Sequence, residues 1–374
     1  MPSKVRSSSF YATYHGHERE HLAAVMDSLR GVHHRTAIFL AGDSSLDNKF
    51  WFNDACSALN GYEHVLEPPL MKPDLAYWLN ELCVRRRRPE LFCINTAVEA
   101  SSLNSRALGK LLHQDCFIRD NITAEDYLIV SVGGNDLALA PLLATVLNLV
   151  PLLCLTPIGL IRRGEACPPN LHVDCGCYGC GLPGCIVSPC GCPPGLAYFV
   201  DLFGNRVENY VRRLIGETRP KKVLVCMIYN TWRMTHFSHM SDPVFAISQD
   251  SIAKKQVIVC MIYYLDVHGR GSWADCFLSL MGYNVAPQRL QAAIKRLFEL
   301  GTRRIRIPRV CVEAVPLFET LDGNDSSDYV QRVEPSPSGG AKLASALMDV
   351  ILGADTHAEA DGYNRLLNAS VSRE

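Results

Sequence analysis

Residues 36–45 read TAIFLAGDSS. The run TAIFLA is short, apolar throughout and without alternation, which predicts a strand buried on both faces rather than an amphipathic helix. It ends on Gly42, Asp43, Ser44 and Ser45. Gly42 is expected to let the chain turn tightly, Asp43 to brace the turn, and Ser44 to open a helix with its hydroxyl exposed. Backbone N–H groups at such a helix end stabilise negative charge on a bound oxygen. Taken alone, Gly-Asp-Ser suits a plain turn and helix cap equally well.

Working outward, apolar runs of strand length follow at 91–95, 127–132, 222–228, 256–263 and 310–315. Between and around them, helical spacing occupies 18–30, 72–85, 287–300 and 340–352. Strands alternating with helices predict an α/β fold, a flavodoxin-like three-layer α/β/α domain with a mainly parallel sheet, spanning 1–374 as one domain. Ligands of such sheets bind beyond the carboxyl ends of the strands.

Two stretches interrupt the rhythm. Residues 164–195 are crowded with Cys, Gly and Pro and read as an irregular insertion. The other is a duplication, KKVLVCMIY at 221–229 recurring as KKQVIVCMIY at 254–263, 33 residues later. One copy suffices for a central strand. The second is the expected one, because YYLDVHGRGSW continues from it, and 230–253 becomes an insertion between the copies.

A second polar loop, VGGND at 132–136, also follows a buried run. Its glycines permit close backbone approach, and Asn135 is placed to aim its amide at an oxyanion. A third, INTAVEASS at 94–102, follows the run at 91–95. Over roughly 36–352 this set of loops resembles the SGNH (GDSL) hydrolases, which carry Ser in GDS, Gly in a central loop, Asn in GxND and a terminal DxxH. The resemblance implies Ser44 as nucleophile of an esterase or acyl/acetyl-ester hydrolase. It implies an oxyanion hole from the N–H groups of Ser44 and Ala100, which stands where the family has glycine, and the side chain of Asn135.

The terminal block departs from the family. Where D-x-x-H-P is expected, the chain reads Gln331-Arg332-Val333-Glu334-Pro335, with Glu334 at the histidine position and Asp328 nearby. A serine without a base is a poor nucleophile near neutral pH. Three outcomes are open: Glu334 accepts the proton with its pKa raised by burial, His268 does so oriented by Asp266, or the pocket persists in a catalytically inactive ligand-binding or scaffold protein.

Seven of the sixteen cysteines fall within 26 residues of the 164–195 insertion. Cys175, Cys177, Cys180 and Cys185 are candidate ligands of a structural zinc, although a second C-x-x-C is missing. Free thiols and a disulfide knot are the alternatives. Cys93, Cys154, Cys226, Cys260 and Cys311 sit in apolar segments and read as small core residues. Hydrolysis through Ser44 requires no cofactor.

Composition bounds the partners. Hydrophobic residues make up 48 % of 374, enough for a large core, and 37 basic against 38 acidic residues give a net charge of -1. That balance offers no general attraction for nucleic acid or anionic membrane; the arginines at 85–88 read as a solvated helix end. The expected partner is a small-molecule, lipid or glycan ester. The first twenty residues lack the apolar stretch of a secretory signal, so a cytoplasmic location is expected. Residues 137–161 are apolar and long enough for a membrane span, but Pro141, Pro151, Pro157 and Asn148 interrupt them, which predicts buried helical pieces and loops instead.

Overall fold

The computed structural model describes residues 4–31, 35–107, 109–138, 143–164, 193–216, 222–223, 256–308 and 310–353. Five strands form the central sheet: β1 (Thr36–Gly42), β2 (Leu91–Asn95), β3 (Tyr127–Ser131), β4 (Gln256–Met261) and β5 (Cys311–Pro316). They lie in the order β5-β4-β3-β1-β2, and every pairing is parallel. β1 from Ala37 onward and all of β2 are buried, as unbroken apolar runs in a sheet covered on both faces must be. β5 at the sheet's edge is half-exposed over its first residues.

The second copy of the duplicated segment supplies β4, between β3 and β5. From the first copy, Lys222–Val223 pairs with β3 through Lys222 and Tyr127. The 230–253 insertion lies outside the described residues, as does 165–192 of the Cys-rich segment.

The principal helices are α1 (Arg19–Arg30), α2 (Leu75–Arg85), α3 (Leu103–Ala107), α4 (His113–Asn121), α5 (Gly134–Ala138), α6 (Val207–Ile215), α7 (Pro287–Leu300) and α8 (Pro337–Leu352). α8 packs on α2, burying Leu343, Ala344, Leu347, Met348 and Ile351, a stripe of helical period. α6 packs on α3 and α4, and α1 on α4. Right-handed crossovers assign these two groups to opposite faces of the sheet, in agreement with a three-layer α/β/α arrangement.

Two helix starts differ from the expected 72 and 340. α2 begins at Leu75 because the Asp74 carboxylate accepts the Tyr77 N–H at 2.9 Å, and α8 begins at Pro337 because the Ser336 hydroxyl accepts the Gly339 N–H at 3.2 Å. Side-chain caps, not apolar spacing, set both boundaries. Across 137–161 the chain breaks into short pieces, Leu143–Val150, Pro151–Leu155 and Ile158–Arg163. Among the described residues no helix is long and apolar enough to cross a membrane. Cys93 and Cys260 are buried and Cys311 is half-buried, but Cys154 is exposed. Leu152 and Leu153 take the inward positions of its turn, which corrects the core reading for Cys154; Cys226 lies outside the described residues.

Candidate active site

The strand order reverses direction between β1 and β3, and that crevice is where sheets of this topology take ligands. Ser44 follows β1 and Asn135 follows β3. No helix begins at Ser44, contrary to expectation. The chain makes one turn in which Asp43 O accepts the N–H groups of Leu46 and Asp47, each at 3.1 Å, and then passes to a short 3-10 helix at Lys49–Trp51. A helix dipole therefore does not act on Ser44.

Gly42 has a different reason from the expected tight turn. A Cβ there would sit 2.2 Å from Ser131 O, so glycine is required by the close approach of β1 to β3. Asp43 braces the turn as predicted, its Oδ1 accepting the Ser45 N–H at 3.1 Å. Ser45 is held by a 2.7 Å hydrogen bond between its hydroxyl and that of Ser131. Ser44 is left half-buried, its N–H without a protein acceptor among the described residues.

Glu334 meets Ser44 from the far end of the chain. It lies in a small hairpin of Tyr329–Val330 and Glu334–Pro335, whose turn carries Gln331 and Arg332 at φ of 52° and 66°. The buried Arg332 guanidinium pins that turn, donating to Asp275 at 2.7 Å, Asn284 at 3.0 Å and Asp266 O at 3.0 Å. The Asn48 side chain donates to Pro335 O and ties the hairpin to the serine loop. The Glu334 carboxyl, in a residue only 6 % exposed, is pushed up to about 8. Burial is the largest cause, the neighbouring Ser44 hydroxyl opposes it, and the Asp43 and Asp47 charges add to it. Its Oε2 has no partner among the described residues. Gln331 and Asp328, at and beside the family's aspartate position, are engaged elsewhere, with the Trp273 N–H and with Lys342 and Ser338.

Asn135 Nδ2 donates to Ser101 O at 3.0 Å, which leaves its second hydrogen for a ligand. The neighbouring Asp136 carboxylate accepts the N–H groups of Leu103 and Asn104 at 2.6 and 2.9 Å and so joins this loop to the one carrying Ala100. Ala100 itself has φ +58°, a left-handed conformation suited to glycine, and its N–H has no protein acceptor among the described residues. Ala100→Gly is therefore expected to raise stability by about 0.5–1 kcal/mol, the relief of left-handed strain exceeding the entropy glycine adds to the unfolded chain. Urea unfolding measures it, and an unchanged or lower midpoint would show that the position carries no such strain.

Ser44, Asn135 and Glu334 open on a cavity of about 80 Å³ walled by Ile262, Tyr263, Leu265, Trp273, Phe277 and Met281. The wall is mostly apolar, and Asp43, Ser45 and Ser131 add further polar groups to its lining. His268 does not line it. The ring is exposed, and Asp266 accepts the His268 backbone N–H at 2.8 Å rather than orienting the imidazole.

No family model matches the chain, and a search of curated proteins finds no match.

Several residues that shape the site carry weak signals in the sequence. Arg106, fully buried, donates to Gly42 O at 2.8 Å and to Ser101 Oγ at 3.0 Å, holding two of the three loops. An arginine in a short polar helix reads as surface. Lys49 is likewise buried, ion-paired with Asp47 and Glu99 beneath the serine turn. Much of the cavity wall comes from 262–281, where apolar residues are scattered among turn residues, and Leu290 and Ile294 of α7 complete it. Cys175, Cys177, Cys180 and Cys185 lie outside the described residues.

Proposed function

We propose that this chain is a serine esterase of the SGNH type, acting on a small-molecule, lipid or glycan ester through a Ser44 acyl-enzyme. The observation that carries the reading is that Ser44 and the buried Glu334 carboxyl, brought together from opposite ends of the chain, line the same apolar cavity. The loops matching the family's first three blocks meet at that edge, which supports it further.

In this scheme Ser44 Oγ attacks the ester carbonyl carbon while its proton passes to ionised Glu334. The carbonyl oxygen takes up negative charge and is met by the N–H groups of Ser44 and Ala100 and by Asn135 Nδ2. The bond to the alcohol breaks, and Glu334 returns the proton to the leaving oxygen. Water then repeats the sequence on the acyl-serine and releases the acid, with no cofactor. The apolar wall favours a short acyl group over a charged one.

A base raised to about 8 must lose its proton before it acts. The expected kcat/KM for p-nitrophenyl esters therefore climbs about tenfold per pH unit at lower pH and levels above about 8. A profile with its rising limb near pH 4–5, the ordinary carboxyl range, would show that no carboxyl raised by burial governs the rate.

The same protonation favours a second reading, a silent binding protein, because at neutral pH the Glu334 carboxyl donates rather than accepts. Hydrolysis of p-nitrophenyl esters and labelling by a fluorophosphonate separate the two. Turnover with label on Ser44 supports the esterase; neither, between about pH 6 and pH 10, leaves the binding protein.

A further inference from the structure

A buried cluster beneath the serine turn is not used by this chemistry. His17 precedes α1, Asp47 ends the turn after Ser44, and Asp74 caps α2, with exposures of 1 %, 0 % and 2 %. One candidate ligand atom from each lies within 4.8 Å of the others. The Phe10 ring stacks on the imidazole at 4.0 Å.

His17 Nδ1 sits 2.7 Å from Phe10 O. A carbonyl can only accept, so Nδ1 carries the hydrogen and Nε2 presents a lone pair. Among the described residues that Nε2 is buried with no partner, and so is Asp47 Oδ1. Two buried acceptors of this cluster thus lack a donor among the described residues, an arrangement that is unfavourable unless a positive centre satisfies them. The remaining oxygens are fixed: Asp47 Oδ2 accepts from Lys49, and Asp74 accepts from the Tyr77 N–H at 2.9 Å and Asn95 Nδ2 at 3.0 Å.

Asp47, Asp74 and the adjoining Glu99 are three buried carboxyls, of which Asp47 and Glu99 pair with the Lys49 ammonium. An imidazole nitrogen held by a carbonyl on its far side, with two carboxylates, is a donor set for Zn²⁺ or Mn²⁺.

We infer that His17, Asp47 and Asp74 bind a divalent transition-metal cation. It joins the N-terminal segment, the serine turn and the start of α2, and would act as a structural clasp independent of whether Ser44 is a nucleophile.

The test uses the full chain, stripped with chelator and desalted. Mn²⁺ is the probe, because thiolates of the Cys-rich segment compete poorly for so hard an ion. Loss of the free Mn²⁺ paramagnetic resonance signal counts bound ions, and thermal unfolding reads the accompanying rise in Tm. Wild type is expected to take up one ion per chain with a higher Tm; Asp47→Asn, similar in shape, loses at least about tenfold in affinity and the Tm rise. If Asp47→Asn fails to fold, Co²⁺ added to wild type decides by its spectrum. Weak d–d bands without thiolate charge transfer support the site, and strong thiolate charge transfer as the only response overturns it. Absence of Mn²⁺ uptake by wild type, or uptake unchanged in a folded Asp47→Asn, overturns it as well.

Discussion

Glu334→Gln is expected to lower kcat for p-nitrophenyl ester hydrolysis by about 10²–10⁴-fold, and Ser44→Ala at least as far. The amide keeps the shape of the carboxyl and its place beside Ser44 but cannot take a proton. Asn135 and the two backbone N–H groups remain, so residual turnover above the uncatalysed rate belongs to the oxyanion hole. Fluorophosphonate labelling should disappear in Ser44→Ala and slow in Glu334→Gln. Full activity in Glu334→Gln would sink the assignment of the base.

The same variant carries a stability readout that does not depend on catalysis. The folded-state pKa of Glu334 is about 8, whereas an unfolded glutamate titrates near 4.3. Below the lower value both states are protonated. Between the two, the unfolded chain ionises and the native one does not, so wild type loses stability as pH rises through that window and levels above it. Gln has no such titration. The Tm of Glu334→Gln relative to wild type should therefore increase from about pH 5 to about pH 9. A difference independent of pH would mean that the carboxyl is not held protonated by burial.

Arg106→Met is expected to cost about 3–5 kcal/mol of folding stability. Arg106 is fully buried, pairs with the equally buried Asp115 through Nε and Nη2, and lies 4.8 Å over the Tyr210 ring. Tyr210 donates to the same carboxylate at 2.7 Å. Removing the guanidinium leaves a buried charge with its strongest partner gone, together with the carbonyl of Gly42. Adding Asp115→Leu to Arg106→Met should recover part of the loss, since a buried pair replaced by apolar groups is far less costly than one broken. Guanidinium unfolding measures both, and a loss under about 1 kcal/mol for the single variant would show that water already screens the pair. Because Arg106 also holds Ser101, the loop of Ala100 should loosen with it, and the proposed esterase activity should fall with it.

How much of this was legible before the fold is clearest at individual residues. TAIFLA and the runs at 91–95 and 127–132 became β1, β2 and β3 almost to the residue, since a strand covered on both faces needs continuous apolar side chains. Asn135 and Ser44 were placed by the same logic, each directly after such a run. Glu334 was found by register, from the proline after it. Gly42 was named for the wrong reason and Ala100 without its positive φ, because both depend on which backbone passes close by.

Sequence alone determined the alternation of buried strands and helices, the parallel sheet it implies, and the polar loops at its carboxyl edge; these follow from local periodicity and chain connectivity. Tertiary structure decided that Glu334 rather than His268 reaches Ser44, that 262–294 walls the cavity, and that His17, Asp47 and Asp74 meet under the serine turn. Those meetings join segments tens to hundreds of residues apart, and their energetics come from burial and charge shared across the gap. No stretch of sequence carries that information until the sheet brings its loops to one edge.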